Sequence, residues 1–198
     1  MTRLILASGS AIRADLLRRA SLAVEVIPAR VDEDAIKSAF LAEQAKPRDI
    51  ADALAEAKAR KVAARHPDRM VLGCDQVLDF QGTLFSKPET PEDARDQLRR
   101  MRGKRHMLLS AAVIYDNAKP VWRHVGTVRL HMRDLSDAYI DDYISRNWES
   151  IRHAVGAYKL EEEGPRLFTR IDGDHFNVLG LPLLEILSYL TLRGTLPA

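Results

Sequence analysis

Leu4-Ile5-Leu6-Ala7-Ser8-Gly9-Ser10-Ala11-Ile12-Arg13 carries a short apolar run, a small polar turn and the first residues of an amphipathic segment. An apolar run this short, bounded by turn residues, reads as a buried strand. Residues 11–20, with Leu16 and Leu17 pointing inward, read as a helix. A turn that feeds a helix leaves the first helical N–H groups without partners, and the peptide dipoles make that end positive. Ser8 and Ser10 add hydroxyl donors, and Gly9 permits close approach of the backbone. Arg13 offers a planar fork suited to phosphate oxygens. The same residues admit a plainer reading, in which Ser10 only caps the helix and Arg13 is solvated. Neither a Walker A loop nor a GxGxxG fingerprint is present.

Working outward, strands and helices mix along the whole chain. Residues 23–28 read as a strand, and 47–65 as a helix with Ile50, Leu54 and Val62 on one face. Met70-Val71-Leu72 is a continuous apolar run expected of an interior strand, and 77–84 reads as a hairpin about Gln81-Gly82. Thr90 caps a helix with Pro91 at its first position, Glu92 and Asp93 in its first turn and Gly103 at its end. Strands at 107–115 and 121–132 are joined near Lys119-Pro120. Ser136 caps a helix through Ile144, and a strand at 167–171 leads into the Asp172-Gly173-Asp174 turn. A last amphipathic helix, 183–192, stops at Gly194. The expectation is an α/β fold with a mixed sheet, formed as a single domain over residues 1–198.

Composition narrows the class. Hydrophobic residues make up 46% of the chain, enough for a real core. Thirty basic residues nearly balance 28 acidic ones, so net charge by itself does not point to nucleic acid. The Arg99-Arg100 to Arg105 cluster is the only support for that class, and it reads as a solvated helix end. No apolar run reaches membrane-spanning length, and residues 1–7 lack the pattern of a secretion leader. With Cys74 as the lone cysteine, a reducing, cytoplasmic setting is expected.

Further chemistry-bearing residues are scattered along the chain. Asp75 ends the buried run 70–74, where a charge is expensive without a partner; it is either a catalytic carboxylate or a turn residue. The antiparallel hairpin can fold Lys87 back towards it. Asp32-Glu33-Asp34 is a carboxylate cluster of the kind that holds Mg²⁺, or an exposed acidic loop. Lys58 falls in line with Leu54 and Val62, on a face lysines avoid unless an anion meets them. The six histidines are dispersed without metal-ligand spacing, and no GxSxG elbow occurs.

Taken in order, these segments resemble the Maf family of nucleotide pyrophosphatases. The matching stretches are residues 4–13, Val31-Asp32-Glu33, Ala55-Glu56-Ala57-Lys58-Ala59, Gly73-Cys74-Asp75-Gln76 and Ser86-Lys87-Pro88. Gly156-Ala157-Tyr158-Lys159-Leu160-Glu161 and residues 171–182 complete the set. The resemblance implies a fold like the inosine triphosphate pyrophosphatases, two lobes about a long mixed sheet with a central cleft. It implies cleavage of a nucleoside triphosphate to the monophosphate and pyrophosphate, dependent on Mg²⁺, Mn²⁺ or Co²⁺. By position, Ser8, Ser10 and Arg13 would bind phosphates. Glu33 and Asp75 would hold the metal or activate water, with Asp75 the favoured general base. Lys58 and Lys87 would neutralise the triphosphate. A homodimer is also suggested.

Base choice is expected to fall to Ile12, Gln76 and Glu161. Gln76 and Glu161 resemble the branch acting on 7-methyl-GTP, and a carboxylate at 161 suits the adjacent N–H donors of a guanine-type edge. The alternatives are a dTTP- or UTP-preferring pyrophosphatase, and a non-catalytic nucleotide-binding regulator of cell division.

Overall fold

A computed structural model describes residues 4–197. Parallel strands come first. β1 (Leu4–Leu6) pairs with β2 (Val24–Val26) on one side and with β3 (Val71–Phe80) on the other. β4 (Thr83–Phe85) folds back antiparallel on β3, with Leu78 opposite Phe85. β5 (Arg105–Asp116) and β6 (Lys119–Met132) follow, and β7 (Phe168–Asp172) runs antiparallel to β6. The sheet has the order β2-β1-β3-β5-β6-β7, with β4 on β3. The expected α/β class with a mixed sheet is thus the one found.

Helices fill the connections: α1 (Ala11–Arg19), α2 (Glu33–Ala42), α3 (Pro47–Ala63), α4 (Pro91–Met101), α5 (Asp137–Ile151), α6 (His175–Val178) and α7 (Leu183–Leu192). Thr90 and Asp93 form a reciprocal capping box on α4. Two expectations shift. The helix begun by Ser136 runs on to Ile151, because Ile144 and Ile151 stay on its buried face. The β5–β6 turn is Asn117-Ala118, not Lys119-Pro120; both residues sit at positive φ, as a tight mirror-image hairpin turn requires. α2 lies outside the expected elements: none of its residues is fully buried and its apolar stripe is short, with Ile36 and Phe40 only half-buried. Among the described residues no helix is long and apolar enough to cross a membrane.

The chain divides into two compact units. The first comprises residues up to Gln76, Leu109–Gly126 and the chain from Asp174 onward. Its core joins Leu4 and Leu6 of β1, Leu16 and Leu17 of α1, Leu72 of β3, Ile114 of β5 and Leu183, Ile186 and Leu190 of α7. Ile50 and Leu54 of α3 are fully enclosed, each contributing about 1.5–3 kcal/mol. That burial anchors α3, the helix that carries Lys58.

The second unit comprises Val77–Leu108 and Thr127–Gly173. Its interior holds a polar pair, His106 and Tyr158, with His106 Nε2 2.8 Å from the Tyr158 hydroxyl. Phe168 packs edge-on to Tyr158, ring centroids 4.9 Å apart, and the Tyr143 hydroxyl donates to the Ala157 carbonyl. Gly156 is at φ +78°, and a Cβ there would lie 2.4 Å from Leu78 Cδ1. Only glycine satisfies both demands. These contacts hold the 156–158 turn that precedes Glu161.

Burial first, and the charge of His131 second, hold His106 down at about 4, against an ordinary 6.5. The unfolded chain therefore binds a proton that the folded chain refuses between those two values. The contribution of neutral His106 is complete above pH 6.5 and is lost as pH falls towards 4, by about 3 kcal/mol at most. Chemical denaturation across this window should show stability falling with acid, and a flatter dependence in His106→Gln. Equal slopes in the two proteins would count against a buried neutral histidine.

Candidate active site

The site starts from a close approach between α3 and β3. A Cβ on Gly73 would lie 2.2 Å from the Ala55 carbonyl oxygen and 2.6 Å from the Ala59 amide nitrogen. The strand therefore touches the helix backbone at a glycine, and the helix presents only alanine there. Side chains alternate along a strand, so Gly73 and Asp75 share the face towards α3. Lys58, between Ala55 and Ala59, is carried to the carboxylate two residues further on. Its Nζ lies 2.5 Å from Asp75 Oδ1. Lys58 thus sits on an apolar helix face because an anion meets it there.

Glu33 joins the same ammonium. Asp32 caps α2 by accepting from the Ala35 N–H, which places Glu33 in the first helical turn. Its Oε1 lies 2.7 Å from Lys58 Nζ. The acidic triplet is thus a helix start, with Asp32 as cap and Glu33 in the cluster. Burial is the largest influence on Lys58 and pushes its pKa down. The Asp75 charge and the hydrogen bonds to Asp75 and Glu33 outweigh it, raising the pKa above the ordinary 10.5. The ammonium keeps its proton at neutral pH.

Arg13 lies beside this cluster. Its Nε donates to the Gly180 carbonyl at 2.8 Å, and its Nη1 donates to Ser8 Oγ at 3.2 Å and to the Cys74 carbonyl at 3.1 Å. Ser8 is buried. Ser10 occupies the cap position of α1, but its side chain makes no capping bond. Instead its backbone N–H turns to Ser8 Oγ, so the plain capping reading of Ser10 is not what the structure contains. A Cβ on Gly9 would meet only Pro28, at 3.8 Å, so nothing inside the protein demands glycine there. Cys74, fully buried, is pushed up to about 12, by burial first and against the pull of Arg13 and Lys58. It is a packed thiol rather than a nucleophile.

Gln76 ends the first unit's share of β3. Its Nε2 donates to Ser110 Oγ and to the Asn177 and Val178 carbonyls, each at 3.0 Å. Ile12 is half-buried in the first turn of α1. Lys87, on the loop after β4, and Glu161, on the turn after Tyr158, are both exposed and belong to the second unit. The structure therefore brings Ser8, Arg13, Glu33, Lys58 and Asp75 together within one unit. The residues that reading the sequence missed are Ser110, Asn177 and Gly180. Asn177 and Gly180 lie in the 171–182 stretch, but no charge or metal-like spacing marks them. Ser110 sits unmarked inside an apolar strand.

No group of three or more His, Cys, Asp or Glu side chains converges as a metal site among the described residues. Glu33 and Asp75 do converge on one cation, the Lys58 ammonium. Two carboxylates completed by phosphate oxygens and water are a donor set that Mg²⁺ accepts, so these residues fit a divalent ion.

Asp75 does not end its strand, as its place after the 70–74 run suggested, because β3 continues buried to Phe80. The chain is a mixed-sheet α/β protein with a buried carboxylate inside an interior strand, a shared ammonium and a fixed arginine beside it. Residues 3–192 match the Maf-like protein family, and the chain belongs to it. It is 68% identical over 193 residues to a nucleoside triphosphate pyrophosphatase of Ruegeria pomeroyi, covering 98% of this chain and 97% of that one. With the protein of the same name from Ruegeria sp. strain TM1040 the identity is 69% over the same shares. Among solved structures, a HAM1 protein from Coxiella burnetii is similar with a TM-score of 0.43 and 14% identity, over 68% of this chain and 75% of that chain.

The Gly73 contact makes a direct test. Gly73→Ala drives a methyl group into the α3 backbone and should cost about 1–3 kcal/mol or more, read as a lower urea midpoint. An unchanged midpoint would mean that α3 is not held at this distance.

Proposed function

We propose that this chain hydrolyses a nucleoside triphosphate to the monophosphate and pyrophosphate. The observation that carries this reading is the Lys58 ammonium clasped between Glu33 and Asp75 next to the fixed fork of Arg13. The activity named for the relatives supports the reaction class, and the geometry supports the roles.

Phosphoryl chemistry asks a protein mainly for positioning and for charge in the right place. Arg13 enters with its Nε and Nη1 committed to protein acceptors, while Nη2 has none among the described residues. That edge, the Ser8-Gly9-Ser10 turn and the open start of α1 form the phosphate grip. Lys58, protonated at neutral pH, and Lys87 offset charge developing on the leaving pyrophosphate. Asp75 accepts the Lys58 hydrogen bond through Oδ1 only. Its Oδ2 is left to take a proton from the attacking water as general base. Glu33 and Asp75 would hold Mg²⁺, Mn²⁺ or Co²⁺, which when bound supplies charge neutralisation and a more acidic water.

For the base, the reading is a guanine-type ring of the 7-methyl-GTP kind. Glu161 accepts from its adjacent N–H donors, with Ile12 and Gln76 as the other selecting residues. Since two carbonyls fix the direction of the Gln76 amide, only its oxygen is left to read a base, and it reads a donor.

The test is a panel of nucleoside triphosphates assayed for pyrophosphate release with each divalent ion. Asp75→Asn should lower kcat by about 10²–10⁴-fold with KM little changed. If wild type turns over no triphosphate, the enzyme reading falls. If dTTP and UTP far outperform 7-methyl-GTP, the base reading falls and the reaction class stands.

A further inference from the structure

Arg13 is oriented by Ser8 and Cys74 at Nη1 and, at Nε, by a carbonyl 167 positions away in sequence, that of Gly180. This carbonyl accepts the Nε–H and so sets the plane of the guanidinium. Gly180 is at φ +90°, and a Cβ there would lie 2.9 Å from Nη2 and 3.1 Å from Nε. The fork lies flat against a backbone that only glycine permits.

The turn that presents this carbonyl cannot hold itself. α6 is four residues long, too short to persist without outside support. Asp174 caps it, accepting from both the N–H and Nδ2 of Asn177. Asn177 is buried, and it is seated on Gly126, where a Cβ would lie 1.9 Å from its Oδ1. Two side chains from the sheet then grip the turn's backbone. Ser110, wholly buried in β5, donates to the Asn177 carbonyl at 2.5 Å. Gln76 donates to the same carbonyl and to that of Val178. Gly180 N–H closes back on the Asn177 carbonyl as well. One carbonyl, that of Asn177, therefore gathers the sheet's donors and the residue that holds Arg13.

We propose that Ser110 and Gln76 are positioning residues for Arg13: through the 177–180 turn they fix the guanidinium plane and keep Nη2 turned to the phosphates. This rests on Arg13 being a phosphate ligand. It also gives Gln76 a task at the phosphate end that does not depend on which base is bound. Ser110, whose hydroxyl accepts from Gln76 and donates to the Asn177 carbonyl, would act there alone.

The experiment is a double-mutant cycle on the full chain with Ser110→Ala and Arg13→Ala. It measures kcat/KM for 7-methyl-GTP, GTP, dTTP and UTP, and calorimetric binding of pyrophosphate, well below each variant's unfolding temperature. Ser110→Ala should lower kcat/KM about 3–10-fold, by one common factor on every nucleotide turned over. It should weaken pyrophosphate binding by a similar factor, and both effects should vanish in the Arg13→Ala background. A loss of equal size in both backgrounds, or one confined to a single base, overturns the positioning role while leaving the phosphate grip intact. If Arg13→Ala itself changes neither quantity, the grip falls too. Gln76→Met, near-isosteric and without donors, repeats the cycle if Ser110→Ala does not fold. Because Gln76 is also assigned to the base, pyrophosphate binding alone decides there, a weakening that vanishes with Arg13→Ala supporting the positioning role and an equal loss in both backgrounds overturning it.

Discussion

One ammonium shared by two carboxylates organises the first unit. Asp75 stands in the middle of the buried strand β3, and a carboxylate there is stable only with a partner. Removing one member of such a pair costs about 3–5 kcal/mol, because the other is left buried and uncompensated. Lys58 supplies the partner, and it can do so only because α3 packs on β3 at backbone distance. Gly73, Ala55 and Ala59 therefore belong to the electrostatics of the site as much as to its packing. A larger side chain at any of the three would separate the charges they bring together.

Charge is held differently at Arg13. Among the described residues no carboxylate neutralises it within hydrogen-bond reach; its partners are two carbonyls and a hydroxyl. Those acceptors orient the guanidinium without cancelling its charge, so the cation keeps its attraction for an incoming anion. Lys58, by contrast, faces two carboxylates, which more than cancel its charge. The two cations thus divide the work, one fixed by neutral acceptors, the other paired with carboxylates. Between them the Cys74 thiol is silent, its proton retained by burial.

Buried polar groups elsewhere serve shape rather than charge. In the second unit the neutral His106–Tyr158 pair and the Gly156 turn position the stretch ending in Glu161. In the first, Ser110 and Gln76 do the same for the 177–180 turn. Both devices use side-chain donors and acceptors to fasten segments too short to be regular elements, since such segments cannot satisfy their own backbone groups.

Local physics made much of this legible in advance. The apolar runs of β1 and β3, the capped start of α4 and the stripes of α3 and α7 are visible because burial and helical periodicity write themselves into residue order. The same holds for the anomaly of Lys58 on an apolar face and of Asp75 after a buried run; each announced an absent partner. Reading residues alone could not say that each was the other's partner, nor that Glu33 joins them, because these contacts are made between separate elements. Distances between residues 13 and 180, or 76, 110 and 177, are properties of the packed sheet. Serine in a strand and asparagine in a turn look ordinary until the strands stand side by side. Sequence order determined which residues carry charge and which elements carry them. Tertiary structure alone decided which charges meet and which carbonyl holds the arginine, because hydrogen bonds act over about 3 Å in space and are blind to separation along the chain.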